Sequence, residues 1–163
     1  MDNTEYSDGI ERSTAIQASR GRVWRALTSA EEFGRWFGVD LKGQAFVVGQ
    51  QTRGQTIYPG YEHMKFDVVV ERIEPMDLFS FRWHPYAVDP TVDYAQEQKT
   101  LVTFTLTDAP RNGTLLTVVE CGFDHVPPHR RVEAFGMNSR AWEYQMNNIM
   151  QYIATYPGEH GRR

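Results

Sequence analysis

Cysteine is almost missing: among 163 residues only Cys121 carries a thiol. One thiol closes no intrachain disulfide, so a reducing, cytoplasmic setting is expected. In an apolar strand such a residue packs as a small hydrophobe and is not read as a nucleophile. No run reaches the roughly 18 apolar residues that a membrane span requires. The opening MDNTEYSDG also lacks the apolar centre of a secretion signal. Positive charge is not in excess, because 17 Lys and Arg face 21 Asp and Glu for a net charge of −4. That balance argues against nucleic acid or an anionic membrane as a partner. There is no GxSxG elbow, no GxGxxG after a strand and no P-loop lysine. His63, His125 and His129 have no metal-ligand spacing with the one cysteine. No cofactor and no metal are therefore expected.

What the chain does have is aromatic side chains, 13% of its residues, which points to a bulky interior or a lined pocket. Residues 1–9 read as a flexible tail, 10–157 as a single domain and 158–163 as a short C-terminal tail. Ile10 to Ala18 carries a mixed β pattern. Ser19 and Ser29 are suited to cap two short helices, Arg20 to Thr28 and Ala30 to Phe37. The period then changes to that of strands: Ala45 to Val48, Gln55 to Tyr58, His63 to Glu74, Leu78 to Trp83, Leu101 to Thr107 and Gly113 to Phe123. Short consecutive strands of this kind pair most economically as antiparallel neighbours. Between Trp83 and Leu101 lies a long, proline-interrupted connection, read either as a lid over an opening or as an excursion without a role. The last pattern, Val132 to Tyr156, spaces Phe135, Asn138, Trp142, Met146, Ile149 and Ile153 at three and four. Those residues share one stripe of a long helix that needs a broad partner surface.

A family resemblance is carried by Arg22 to Thr28, Trp36-Phe37, Glu74-Pro75 with Phe79 to Trp83, Val102 to Leu106, Gly113 to Phe123 and Trp142. In this order, over residues 10 to 155, the chain resembles a START-like domain of the activator-of-Hsp90-ATPase-homologue type. The resemblance implies an α+β helix-grip fold: a curved antiparallel sheet of about six to seven strands around a long C-terminal helix, with two short helices after the first strand. It also implies a cavity between sheet and helix, often used for apolar ligands. It does not imply one function, since such folds serve as carriers, receptors, cyclases and co-chaperone domains.

Strand parity sorts the inward residues if the more apolar set faces the helix. Phe66, Phe81, Trp83, Phe104 and Val118 then point inward, and the same parity carries Glu120 to that face. A carboxylate there needs a partner, and Arg82, His84 or a tryptophan N–H are the candidates. Alternatively, a bulge near Gly122 would turn Glu120 outward. Trp36, Phe37, Tyr58, Asn138, Trp142 and Met146 complete the expected wall, with Gln145 near Glu120. The expected function is binding of a small hydrophobic or aromatic molecule in that cavity. The alternatives are a cofactor-independent cyclase, dehydratase or hydrolase using Glu120 and His84, and a co-chaperone-like interaction module that contacts a chaperone. Exposed strand edges also allow a weak homodimer. His129, Arg130 and Arg131 read as a solvated helix start.

Overall fold

Ser19 and Ser29 cap helices as their positions suggest: Ser19 Oγ accepts from the Arg22 backbone N–H at 3.2 Å, and Ser29 Oγ from that of Glu32 at 3.3 Å. In the computed structural model, which describes residues 8–158, these caps open α1 (Arg20–Thr28) and α2 (Ala30–Phe37). The outer parts of both expected tails, residues 1–7 and 159–163, lie outside the described residues. Helix α2 ends on Gly38, whose φ of 94° is left-handed and whose missing Cβ leaves room for the Tyr58 ring.

The strands are β1 (Gly9–Ile16), β2 (Val39–Asp40), β3 (Gln51–Thr56), β4 (Lys65–Glu74), β5 (Leu78–Trp83), β6 (Thr100–Ala109) and β7 (Gly113–Cys121). They form one antiparallel sheet in the order β1-β7-β6-β5-β4-β3-β2, so β1 and β2 are its edges. Helix α3 (Pro128–Thr155) follows a 3-10 turn at Phe123–His125.

The expected strand at Ala45–Val48 is instead a loop. Gly43 and Gly49 turn the chain at φ 79° and 84°, and Phe46 alone is buried while Val47 and Val48 are exposed. At its start the chain pairs earlier than expected. Gly9 lies opposite Cys121, and the Asp8 carboxylate accepts from the backbone N–H groups of Gly122 and Asp124 at 3.0 and 2.7 Å. Helix α3 also begins four residues before the expected start at Val132, because Pro128 sits in the first turn, where its missing N–H costs nothing.

Packing follows the strand parity. Val102, Phe104, Leu106, Leu116, Val118, Phe79 and Phe81 are buried against α3 and the two short helices. On α3 the buried stripe is Ala134, Asn138, Trp142, Gln145, Met146, Ile149 and Ile153. Phe135 falls beside it, half-buried against Phe123. A bulge between Val70 and Arg72 leaves Glu71 on the outside, where it takes Arg82 at 2.6 Å.

The C-terminal end of α3 is tied to α1 and α2 by a charged clamp. Buried Arg22 donates to the Tyr156 carbonyl at 2.8 and 2.9 Å and pairs with Glu32 at 2.9 Å; Glu32 also accepts from Tyr152 Oη at 3.0 Å and Arg25 at 2.8 Å. Burial pushes the Glu32 carboxyl up, but the Tyr152, Arg25 and Arg22 contacts outweigh it and hold the group below its usual value of 4.5. A depressed carboxyl contributes stability above its unfolded value, and that contribution is lost as pH falls through the folded one. Glu32→Gln is expected to lower stability by about 1–2 kcal/mol at pH 7. In urea titrations repeated at falling pH, the gap to wild type should narrow below about 4.5. A gap that widens in acid would contradict the assignment.

Candidate functional site

The end of β5, the start of β6 and the end of β7 meet at one end of the sheet, because antiparallel neighbours reverse direction. Trp83 lies opposite Thr100, and Glu120 opposite Val102 and, on the other side, Ile10. Glu120 keeps the inward parity of Leu116 and Val118, so no bulge turns it out, and its side chain is fully buried. Asn138 and Trp142, one turn apart on α3, reach down to it.

Both carboxylate oxygens are occupied. Oε1 accepts from Trp142 Nε1 at 2.8 Å and Asn138 Nδ2 at 3.0 Å. Oε2 accepts from Thr100 Oγ1 at 2.6 Å, Trp83 Nε1 at 2.8 Å and Asn138 Nδ2 at 3.2 Å. A carboxylate so placed satisfies the rule that buried polar groups are hydrogen-bonded, and it joins three strands to the helix. Around it Trp83 and Trp142 stack at 5.8 Å, Phe37 touches each at 6.1 Å and Phe104 meets Trp142 at 5.7 Å. Trp83 is half-buried, so this indole closes the cluster toward solvent.

Not every residue expected in the wall reaches this centre. Phe66, Phe81 and Phe104 do, through edge contacts between 5.3 and 6.1 Å with Trp83 and with one another. Val118 lies opposite Phe104 on the neighbouring strand, and Met146 is buried further along α3. Trp36 spends its indole N–H on the Ala26 carbonyl at 2.9 Å and packs within the helical layer. Tyr58 stands against Gly38, and burial pushes its phenol up. Gln145 donates to the Phe37 carbonyl at 3.0 Å and does not reach Glu120. Neither does His84: its Nε2 donates to the Glu97 carbonyl at 2.9 Å, the carbonyl being able only to accept. Arg82 faces outward with Glu71, so the expected cationic partner is absent and the tryptophan N–H groups take its place.

Two contributors were not foreseen. Thr100 makes the shortest bond to Glu120, and its parity with Val102 and Phe104 would have shown it facing inward. Arg130, expected as part of a solvated helix start, is mostly buried and pins the 84–99 connection. It pairs with Glu97 at 2.6 Å, donates to the Pro85 and Tyr86 carbonyls at 2.8 and 3.2 Å, and lies 4.8 Å from the Tyr94 ring centre. A groove of about 480 Å³ on β3 and β4, lined by Arg53, Gly54, Gln55, Lys65, Phe66 and Asp67, shares Phe66 with the aromatic cluster but includes none of the residues that hydrogen-bond Glu120.

A curved antiparallel sheet closed around a C-terminal helix, with two short helices after the first strand, defines a helix-grip domain of the START-like class. Residues 17–154 match the family of Activator of Hsp90 ATPase homolog 1-like proteins, and the chain belongs to it. No curated protein matches the sequence. Among solved structures, protein MLL2253 from Mesorhizobium loti is 25% identical with a TM-score of 0.68, covering 90% of this chain and 97% of its own. DynU16, from the dynemicin biosynthetic locus, is 22% identical with a TM-score of 0.67; 92% of this chain spans only 48% of DynU16. The Aha1 dimer from Colwellia psychrerythraea is 17% identical with a TM-score of 0.62, over 87% of this chain and 92% of that one. The last two likenesses bear on the fold alone. No helix among the described residues is long and apolar enough to cross a membrane.

Proposed function

We propose that the protein binds a small hydrophobic or aromatic molecule between the sheet and α3, against Phe37, Trp83 and Trp142, with Glu120 as polar anchor. The observation that carries this reading is a fully buried carboxylate set in aromatic surface and held, among the described residues, by neutral donors alone. A core built for stability alone gains little from a charge at that depth, whereas a binding site gains a directional contact. The rings touch one another, so a ligand enters by displacing the half-buried Trp83 indole. The 84–99 connection beside Trp83 acts as the lid, and Arg130 fastens it to the start of α3. An acid–base reading has less support, since His84 is committed to Glu97 and makes no contact with Glu120.

Titration of a library of aromatic and lipid-like compounds, followed by tryptophan fluorescence, tests this. Binders should perturb the emission, and Trp83→Phe should remove most of that response. Arg130→Ala should raise association rates by about tenfold, because closed lids tax binding by the fraction of time they are open. A library without a single binder at millimolar concentration would refute the proposal.

A further inference from the structure

The geometry points to an organic cation as the ligand: a protonated amine on an apolar or aromatic body, with its ammonium at Glu120 Oε2. This inference rests on the ligand-binding reading above and adds the charge of the occupant.

The surroundings of Glu120 are electrostatically unbalanced. Among the described residues, every group that hydrogen-bonds Glu120 is neutral, namely two indoles, one amide and one hydroxyl. Arginines on β5, at the start of α3 and on β1 are committed elsewhere: Arg82 to Glu71, Arg130 to Glu97, and Arg12 to Ser139 and the Glu11 carbonyl. Among the described residues no cationic side chain forms an ion pair with Glu120. Neutral donors satisfy its lone pairs but do not cancel its charge, which at zero exposure lies far from the screening of water.

The rings beside the carboxylate are Trp83, Trp142 and Phe37, the two indoles stacked at an interplanar angle of 28° and the phenyl tilted toward both. Aromatic faces carry negative potential and attract cations, tryptophan most strongly. Carboxylate and ring faces thus select the same sign. An anionic ligand end would be repelled by the carboxylate, and a neutral donor would bond to it without the gain of opposite charge. When Trp83 swings aside, Oε2 loses one donor, and an ammonium N–H can replace it with a charge-assisted bond.

The test uses the full chain and three probes of one shape: 3-phenylpropylamine, 3-phenylpropan-1-ol and 3-phenylpropanoate, titrated by calorimetry near pH 7. The alcohol also donates a hydrogen bond, so it separates charge from donor capacity. The amine should bind at least about tenfold more tightly than the alcohol, and the carboxylate weakest of all. Glu120→Gln should erase the preference for the amine. If that variant does not fold, Trp83→Phe serves instead, because removing the competing indole N–H should strengthen amine binding several-fold relative to the alcohol. Equal binding of amine and alcohol would overturn the cation assignment while leaving the ligand site in place. Binding of none of the three by either protein, together with a silent compound library, would overturn both.

Discussion

Glu120→Ala is expected to lower the stability of the protein by about 3–5 kcal/mol, on the scale of a broken buried polar network. The carboxylate receives four side chains from three elements: Trp83 at the end of β5, Thr100 at the start of β6, and Asn138 and Trp142 on α3. Alanine would leave the two indoles and the Asn138 amide without their acceptor and Thr100 with only the Trp83 carbonyl at 3.5 Å, and each buried orphan costs roughly 1–3 kcal/mol. The full sum is not expected, because removing a desolvated charge returns part of the cost and water can enter the space. Glu120→Gln should be milder, at roughly 1–3 kcal/mol, since one oxygen still accepts while the new amide opposes other donors. Urea unfolding followed by far-ultraviolet circular dichroism measures both. With a slope of about 2 kcal/mol per molar, the alanine midpoint should fall by roughly 2 M. A shift below about 0.5 M would mean that the network does not fasten α3 to the sheet.

This network also shows what could be read before the structure and what could not. Glu120 followed from strand parity alone, since the alternation through Leu116 and Val118 had only to continue for two residues. The helix partners were legible as well, because Asn138 and Trp142 are one turn apart on an apolar stripe. Its partners across the sheet were harder. Arg82 and His84 looked like natural counter-groups by charge, but parity sends Arg82 to Glu71, and the turn after β5 aims His84 at Glu97. Charge complementarity draws attention to the wrong residues where neutral indole and hydroxyl donors suffice. Arg130 was hidden for another reason: its partners, Pro85, Tyr86, Tyr94 and Glu97, lie in an aperiodic connection whose path no local pattern encodes. The loop at residues 45–48 misled in the opposite sense, since four apolar letters imitate a strand while only Phe46 is used as an anchor.

Phe33→Ala is expected to be about as costly, at about 3–5 kcal/mol, for a different physical reason. Nothing in the sequence sets Phe33 apart from Trp36 and Phe37, yet its fully buried ring is the centre of the interior. It lies 4.7 Å from Trp36, 4.9 Å from Phe37, 5.4 Å from Phe46 and 5.5 Å from Phe66, with Phe81 and Phe104 at 6.2 and 6.4 Å. Truncation removes contacts with six rings contributed by α2, the 41–50 loop, β4, β5 and β6, which cannot all close in together, so an apolar void remains. Such a void stays dry and accepts a small aromatic molecule. Benzene at about 100 times its dissociation constant should therefore restore up to about 2.7 kcal/mol to Phe33→Ala and much less to wild type. Phe37→Ala separates this role from that of the binding wall. Phe37 is only half-buried and borders Trp83 and Trp142, so its loss should cost less stability than that of Phe33 while weakening amine binding more. The reverse order in a paired urea and calorimetry experiment would place the ligand wall around Phe33 and not at the Trp83 end of the sheet.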